Sequence, residues 1–301
     1  MLAVIRGAGD IATGVALRLH RAGIRVVMCD LAIPTSIRRT VCFSEAIRLG
    51  ECSIEGIRAV RVDGAAQALD VAAAGDVAVL VDPSLDHLGE LRPDVLVDAI
   101  LAKRNLGTRR DLAPVVVACG PGFVAQEDCD AVVETMRGHY LGRVWYEGEP
   151  IPNTAVPGLI GGFAGERVMR APADGEFRGT VAIGDAVHAG DVCGMVAGRP
   201  MVAQIDGVVR GLIQDGAQVR AGMKSGDVDP RGVAAYARCS SDKALAVGGG
   251  VLEAILNLSG ALAGGEPCVG ARGVRPVRPD EERAAEATGA DGTAGQKGGE
   301  R

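Results

Sequence analysis

The stretch Arg6-Gly7-Ala8-Gly9-Asp10-Ile11-Ala12-Thr13-Gly14 constrains this chain most. An apolar run, Leu2 to Ile5, enters it as a buried strand would. An amphipathic run, Ile11 to Leu19, leaves it as a helix would. Glycines at 7 and 9 permit a tight turn, and small Ala12 lets the helix pack near the strand. The free N–H groups and positive dipole at such a helix start suit an anion. The next apolar run, Ile24 to Cys29, ends at Asp30, about twenty residues beyond the glycines, where an acid would meet a ribose. Strand, turn, helix and acid in that order predict nucleotide binding. A tight strand–helix turn without a ligand is the alternative.

After Asp30, Thr35 or Ser36 can cap a helix reaching about Leu49. Arg38 and Arg39 would then lie near the adenosine end of a nucleotide, where paired guanidiniums suit a phosphate; a solvated helix face explains them equally. Ile54 to Val62 reads as a strand or hairpin, and Ala65 to Ala74 as a helix. Three more strand candidates end in polar residues: Val77 to Val81 at Asp82, Val95 to Val97 at Asp98, and Ala113 to Ala118 at Cys119-Gly120-Pro121-Gly122. Special residues repeatedly placed after strand C-termini predict an open parallel sheet that binds ligands along that edge. Asp128 to Met136 reads as the next helix and Tyr140 to Tyr146 as a closing strand.

Several of these residues are candidates for chemistry. Asp82 and Asp98 could act as an acid/base pair or hold a metal, or simply cap the helices after their strands. Cys119 could be a nucleophile if a helix dipole lowered its pKa, although no histidine is placed beside it by sequence. Gly120 and Gly122 could form a second anion nest or an ordinary corner. The cofactor-binding candidates are thus Gly7, Ala8, Gly9, Asp10, Ile11, Gly14, Asp30, Arg38, Arg39, Gly120 and Gly122. No Tyr-x-x-x-Lys pair of the kind used by short-chain reductases is present, which counts against simple hydride chemistry.

The second half contains a repeat. Residues 173–196 align with 205–228 at a shift of 32 without a gap. Asp174/Asp206, Gly175/Gly207, Arg178/Arg210, Gly179/Gly211, Gly184/Gly216, Val187/Val219, Ala189/Ala221, Gly190/Gly222, Gly194/Gly226 and Val196/Val228 are identical. Short strands with glycine at the turns are expected in each half. Such half-repeats resemble the biotinyl/lipoyl barrel-sandwich hybrid. In carriers of that fold a modifiable lysine sits at the hairpin between halves; here the hairpin is Gly198-Arg199-Pro200-Met201, so no biotin or lipoyl attachment is expected. Ser240-Ser241 can cap a last helix, Asp242 to Leu258, interrupted by Gly248-Gly249-Gly250. Each glycine costs a helix interior about 1 kcal/mol, so close packing of this helix on the first domain is expected to compensate.

Composition narrows the function classes. Net charge is −6, so no general affinity for nucleic acid or anionic membrane is expected. No run of 18 apolar residues and no signal peptide are seen, which suggests a cytoplasmic setting. Eight cysteines are scattered without Cys-x-x-Cys, which argues against a zinc ribbon or an iron–sulfur cluster. No metal-binding residues are assigned. From Gly260 onward, isolated apolar residues among Gly, Ala, Arg and Glu suggest disorder.

Several segments together carry a family resemblance: GAGDIATGVALRLHRAG, IRRTVCFSEA, VDAILAKRN, GPGF, ETMRGHYLGRV, GDVDPRG and SDKALAVGGGVLEA. Over about residues 1–260 the chain resembles the selenium-dependent molybdenum hydroxylase system proteins. Where that family usually has glycine after an Asn-Thr pair, this chain has Ala155. The resemblance implies an accessory role in maturing a molybdenum hydroxylase, with that enzyme and its maturation proteins as partners. It supplies no catalytic residues. The expected architecture is a Rossmann-like nucleotide-binding domain over 1–147, a barrel-sandwich hybrid-like module over 148–232, a helical segment over 233–260 and a disordered tail over 261–301. The ligand would be NAD(P) or a molybdopterin dinucleotide. An NAD(P)-dependent oxidoreductase and a non-catalytic structural partner are the alternative functions.

Overall fold

The computed structural model of the chain describes residues 1–154, 158–262 and 264. Parallel strands β1 (Leu2–Arg6) and β2 (Arg25–Asp30) flank α1 (Asp10–Arg21). The short α2 (Glu45–Leu49) leads to a hairpin of β3 (Glu51–Ile54) and β4 (Ile57–Val62). Then come α3 (Ala65–Ala73), β5 (Val77–Val81), one turn of α4 (Leu88–Leu91), β6 (Val95–Asp98) and β7 (Val115–Cys119). β8 (Ala131–Val133) and β9 (Val144–Trp145) complete a nine-stranded sheet ordered 3-4-5-2-1-6-7-8-9.

The sheet is mixed, not the parallel Rossmann-like sheet expected from sequence. β3 and β9 run antiparallel to their neighbours. Loops, not long helices, join β6 to β7 and β7 to β8. The expected helix over Asp128 to Met136 is β8 instead: Val132 and Val133 suit a pleated surface, and Asp130 accepts the Val116 N–H at 2.8 Å. The expected helix from Thr35 to Leu49 is broken as well. Ile37 gives its carbonyl to the Leu212 N–H at 2.7 Å, a partner far along the chain, so that residue cannot also join a helical ladder. Only a 3-10 turn at Arg39–Val41 and α2 remain of it.

Alternation along the strands splits the core. Ala3 and Ile5 of β1 face a cluster with Val15, Leu19, Val247 and Val251, whereas Leu2 and Val4 face Ala68, Ala72 and Leu91.

The remaining strands are β10 (Val168–Arg170), β11 (Gly175–Gly179), β12 (Ala186–Val187), β13 (Val192–Val196), β14 (Arg199–Val202), β15 (Gly207–Leu212), β16 (Gln218–Val219) and β17 (Lys224–Asp229). They form two antiparallel four-stranded sheets, β10-β17-β15-β12 and β14-β13-β11-β16. Phe177, Met201, Val209 and Leu212 are in the core between them. The two repeat halves bond to each other reciprocally. Ala221 N donates to Asp174, and Ala189 N to Asp206, at 2.7 and 2.8 Å. Gly216 N meets the Phe177 carbonyl, and Gly184 N the Val209 carbonyl, at 2.9 and 2.8 Å.

α5 (Asp242–Ser259) is capped by the Ser241 hydroxyl, which accepts the Ala244 N–H at 3.1 Å, and ends at Gly260 in the left-handed region. It lies directly on α1. A Cβ on Gly248 would stand 2.5 Å from the Gly14 carbonyl oxygen, and one on Gly14 as close to that of Ala244. Gly250 is pressed against the Gly142 carbonyl, but Gly249 has open space around it. Close backbone approach therefore offsets the helix-breaking cost at two of the three glycines. The tail expected to be disordered lies outside the described residues, save for Ala261, Leu262 and Gly264.

Candidate ligand cavity at the sheet edge

The C-terminal ends of β1, β2, β6 and β8 open into a cavity of about 1230 Å³. Its other wall comes from β10, β15 and β17, and the first turns of α1 and α5 also reach it. The cavity lies where the glycine turn places Gly7, Gly9, Asp10 and Ile11. Gly7 has φ +103°, and a side chain there would press on the Ala99 carbonyl at 3.1 Å. Gly9 is the residue before α1, with Ser36 Oγ 3.0 Å from where its Cβ would be.

Other sequence candidates have structural tasks. Both oxygens of Asp30 take main-chain N–H groups, from Ala8 and Leu31, each at 2.7 Å, so this acid fixes the glycine turn. Burial raises its pKa, against the lowering effect of those two bonds. Arg38 is held bidentately by Asp10 at 2.9 and 3.0 Å and donates to the Tyr236 and Cys239 carbonyls. It ties the start of α1 to the segment before α5. Arg39 donates to the Leu212 carbonyl at 2.8 Å and does not line the cavity. Gly14 belongs to the α1–α5 contact, and Gly120 and Gly122 press against Thr135 and Arg104, leaving only Pro121 at the cavity.

The catalytic candidates are also engaged. Asp82 accepts from the Asp86 and His87 N–H groups at 2.8 and 3.0 Å and contacts His87 Nδ1 at 3.1 Å. Burial pushes its pKa up, but these bonds outweigh burial and the net shift is downward. Asp98 accepts from Thr108 Oγ1 at 2.6 Å and from Arg6 at 3.5 Å. Cys119 is buried, and burial raises its thiol pKa, the wrong direction for a nucleophile. None of the three lines the cavity.

The residues that do dominate the cavity are cations. Arg6, Arg38, Lys103 and Arg137 come from the nine-stranded sheet and its loops; Arg167, Arg170, Arg210 and Lys224 come from the opposite wall, and Lys243 from α5. The carboxylates among the lining residues are Asp10, Asp30, Glu134 and Asp227. Asp10 neutralises Arg38, and Asp227 pairs with Arg167 at 2.7 Å. Glu134 accepts the Met136 and Ile151 N–H groups at 2.7 and 2.8 Å. Outside the cavity lining, Asp98 and Asp242 serve Arg6 and Arg137. Positive charge is left over at Lys103, Arg170, Lys224, Lys243 and Arg210.

Burial and, at Lys243, neighbouring cations act on these groups. Burial lowers the pKa of Lys103 and Lys224. Lys243 falls to about 8, through burial and then the charges of Lys103 and Arg137. Lys103 and Lys224 are still open to solvent in the cavity, so they are surrounded rather than packed. Burial also lowers Arg210, helped by Arg38. The sequence signal for this site was an arginine inside the apolar strand Val208-Val209-Arg210-Gly211-Leu212. The lysines come from three separate segments, and nothing local marks them.

No family model matches the chain. Over 257 residues it is 52% identical to the "Uncharacterized protein YqeB" of Escherichia coli (strain K12), covering 85% of this chain and 48% of the relative. The chain thus spans about half the length of the curated relative it matches. Among solved structures it is similar to a succinylglutamate desuccinylase/aspartoacylase from Rhodobacter sphaeroides, with 25% identity, 21% and 22% of the two chains covered and a TM-score of 0.19. It is also similar to an aspartoacylase family protein from Mesorhizobium loti, with 12% identity, 75% and 83% covered and a TM-score of 0.23. The expected fold class, a Rossmann-like parallel-sheet domain followed by a barrel-sandwich hybrid, is corrected by the mixed sheet and its loop crossovers, and these solved structures are desuccinylase/aspartoacylase proteins, not molybdenum hydroxylases. Their TM-scores are too low to put a desuccinylase fold in its place, and the architecture stands as described above. Among the described residues, no helix is long and apolar enough to cross a membrane.

Proposed function

We propose that this chain binds a phosphate-bearing small molecule of the nucleotide or dinucleotide type, and works as an accessory factor rather than through the three candidate catalytic residues. The observation that carries the reading is the position of the cavity. A glycine turn and the amino end of a twelve-residue helix stand on one side, and unneutralised cations stand on the other. Backbone N–H groups and fixed positive charges are what phosphate oxygens require. The chain's own charge is −6, so this positive cavity is a local construction and not a reflection of composition. A cytoplasmic setting, and a molybdenum hydroxylase as the client, belong to the proposal on the sequence resemblance alone; the comparisons bear on neither.

Native mass spectrometry of freshly purified protein tests the reading. A retained nucleotide-type ligand is expected in the wild type and lost in Gly9→Val, whose side chain would occupy the turn. Loss of nothing on this substitution, or the absence of binding to any nucleotide at millimolar concentration by calorimetry, would overturn it. For the accessory role, a deletion strain should yield client enzyme poorly loaded with cofactor. A fully loaded, fully active client would reject that role.

A further inference from the structure

Arg210 is 6% exposed, yet it makes no side-chain hydrogen bond among the described residues. Its one ionic contact is Nη1 to Asp229 at 3.8 Å, too long for a hydrogen bond. Asp229 is already committed: Arg231 donates to both of its oxygens, at 2.9 and 2.6 Å. The Nε of Arg210 is buried without an acceptor, as are those of Arg38 and Arg167, and a buried unpaired N–H costs free energy. What sets Arg210 apart is its two terminal nitrogens, which make no hydrogen bond among the described residues. Arg38 and Arg167, also buried at the cavity, show the contrast, since each spends both terminal nitrogens on carboxylates and carbonyls. Lys224 and Lys243 line the same cavity, and neither has an ion-pair or hydrogen-bond partner among the described residues. Arg210 comes from β15, Lys224 from β17 and Lys243 from the first turn of α5, so three elements deliver unmatched charge to one cavity.

We propose that Arg210, Lys224 and Lys243 form a receiving site for a diphosphate-type group, a polyanion with oxygens enough to satisfy all three. This rests on the reading of the cavity as a ligand site and deepens it: the recognised ligand carries concentrated phosphate charge, met by β15 and β17 together with the first turn of α5. The planar guanidinium would take two oxygens together, and the two ammonium groups would act as point charges on the others. The repeat supplies an internal control. Arg178, the equivalent of Arg210 in the first half, is exposed and pairs with Glu176 at 3.3 Å.

Calorimetric titration of the full chain with inorganic pyrophosphate at low ionic strength tests the site. The wild type and Arg178→Met are expected to bind equally. Arg210→Met is expected to bind at least about tenfold more weakly, and Lys224→Met and Lys243→Met several-fold more weakly. Circular dichroism confirms that each variant is folded; if Arg210→Met is not, the two lysine variants carry the test. Unchanged pyrophosphate affinity in the folded variants, or no binding by the wild type at about 10 mM, would overturn the site. A parallel titration with ADP separates the two proposals. If ADP binds no tighter than pyrophosphate while the variants still weaken both, the nucleotide reading fails and the diphosphate site stands.

Discussion

The two halves of the internal repeat share a backbone and differ in what they face. Gly190 N meets the Ala203 carbonyl and Gly222 N the Ala171 carbonyl, both at 2.9 Å, positions again related by the shift of 32. The aspartates at 174 and 206 likewise each hold the other half's turn. The side chains between these fixed points diverge. Where the first half has Val192 and Met195, the second has Lys224 and Asp227, both at the cavity. The shared arginine is solvated in one half and buried without hydrogen bonds in the other. The two halves share a scaffold, and only the second, through β15 and β17, lines the cavity. A structural residue keeps its partner in both halves; a residue kept for a ligand has a partner in neither or in only one.

The largest effect is expected at the glycine pair 194 and 226. A Cβ on Gly194 would stand 2.5 Å from the ring of Phe177, which is fully buried and cannot move aside. A Cβ on Gly226 would meet the flexible end of Met169. Urea denaturation should show Gly194→Ala losing about 2–3 kcal/mol and Gly226→Ala about 1 kcal/mol. Equal losses would mean that the halves are packed alike.

Next comes the arginine pair. Arg210→Met should stabilise the ligand-free protein by about 1–2 kcal/mol, because it removes a buried charge that lacks hydrogen bonds. Arg178→Met should stay within about 0.5 kcal/mol of wild type. A large loss in Arg210→Met would show that Asp229 needs this arginine despite Arg231.

A smaller effect separates the charged wall by pH. Burial depresses Lys243 to about 8, below the unfolded lysine value of about 10.4. Between those values the unfolded chain binds more protons, so stability rises with pH. Urea midpoints measured across that window should rise in the wild type, and the rise should shrink in Lys243→Met. Pyrophosphate affinity should move the other way, weakening as the amine loses its charge above about 8. The smallest effect is expected for Asp174→Ala and Asp206→Ala, which should lower the thermal midpoint slightly and equally, since each removes one equivalent bond. The Ala189 N–H lowers the Asp206 pKa, so its contribution is present above the unfolded carboxylate pKa and is lost as pH falls through the folded value.

Parts of the molecule were legible because their signals are local. The strand, glycine turn and helix over residues 2–21 follow from apolar spacing, and the Ser241 cap from its position before an amphipathic run. The repeat could be read by alignment alone. Elsewhere long-range partners overrode local preference. Ile37 bonds to β15 in place of extending a helix, and β8 takes a segment whose aspartates look like helix starts. The site was legible on one side only. Gly7, Gly9, Asp10, Ile11, Asp30 and Arg38 all line the cavity, but Asp30 and Arg38, chosen for a ribose and a phosphate, also hold the backbone and Asp10.

By itself the sequence determined the glycine turn, the paired halves and the need for small residues where α5 meets another backbone. These depend on spacing between neighbours in the chain, which sequence records directly. Only the tertiary structure decided which of many cations are already satisfied. That depends on groups from distant segments meeting within hydrogen-bond distance, as Asp10 meets Arg38 and Arg231 meets Asp229. Arg178 and Arg210 are the same letter in the same motif; burial and the partners nearby make one a surface residue and the other a waiting donor.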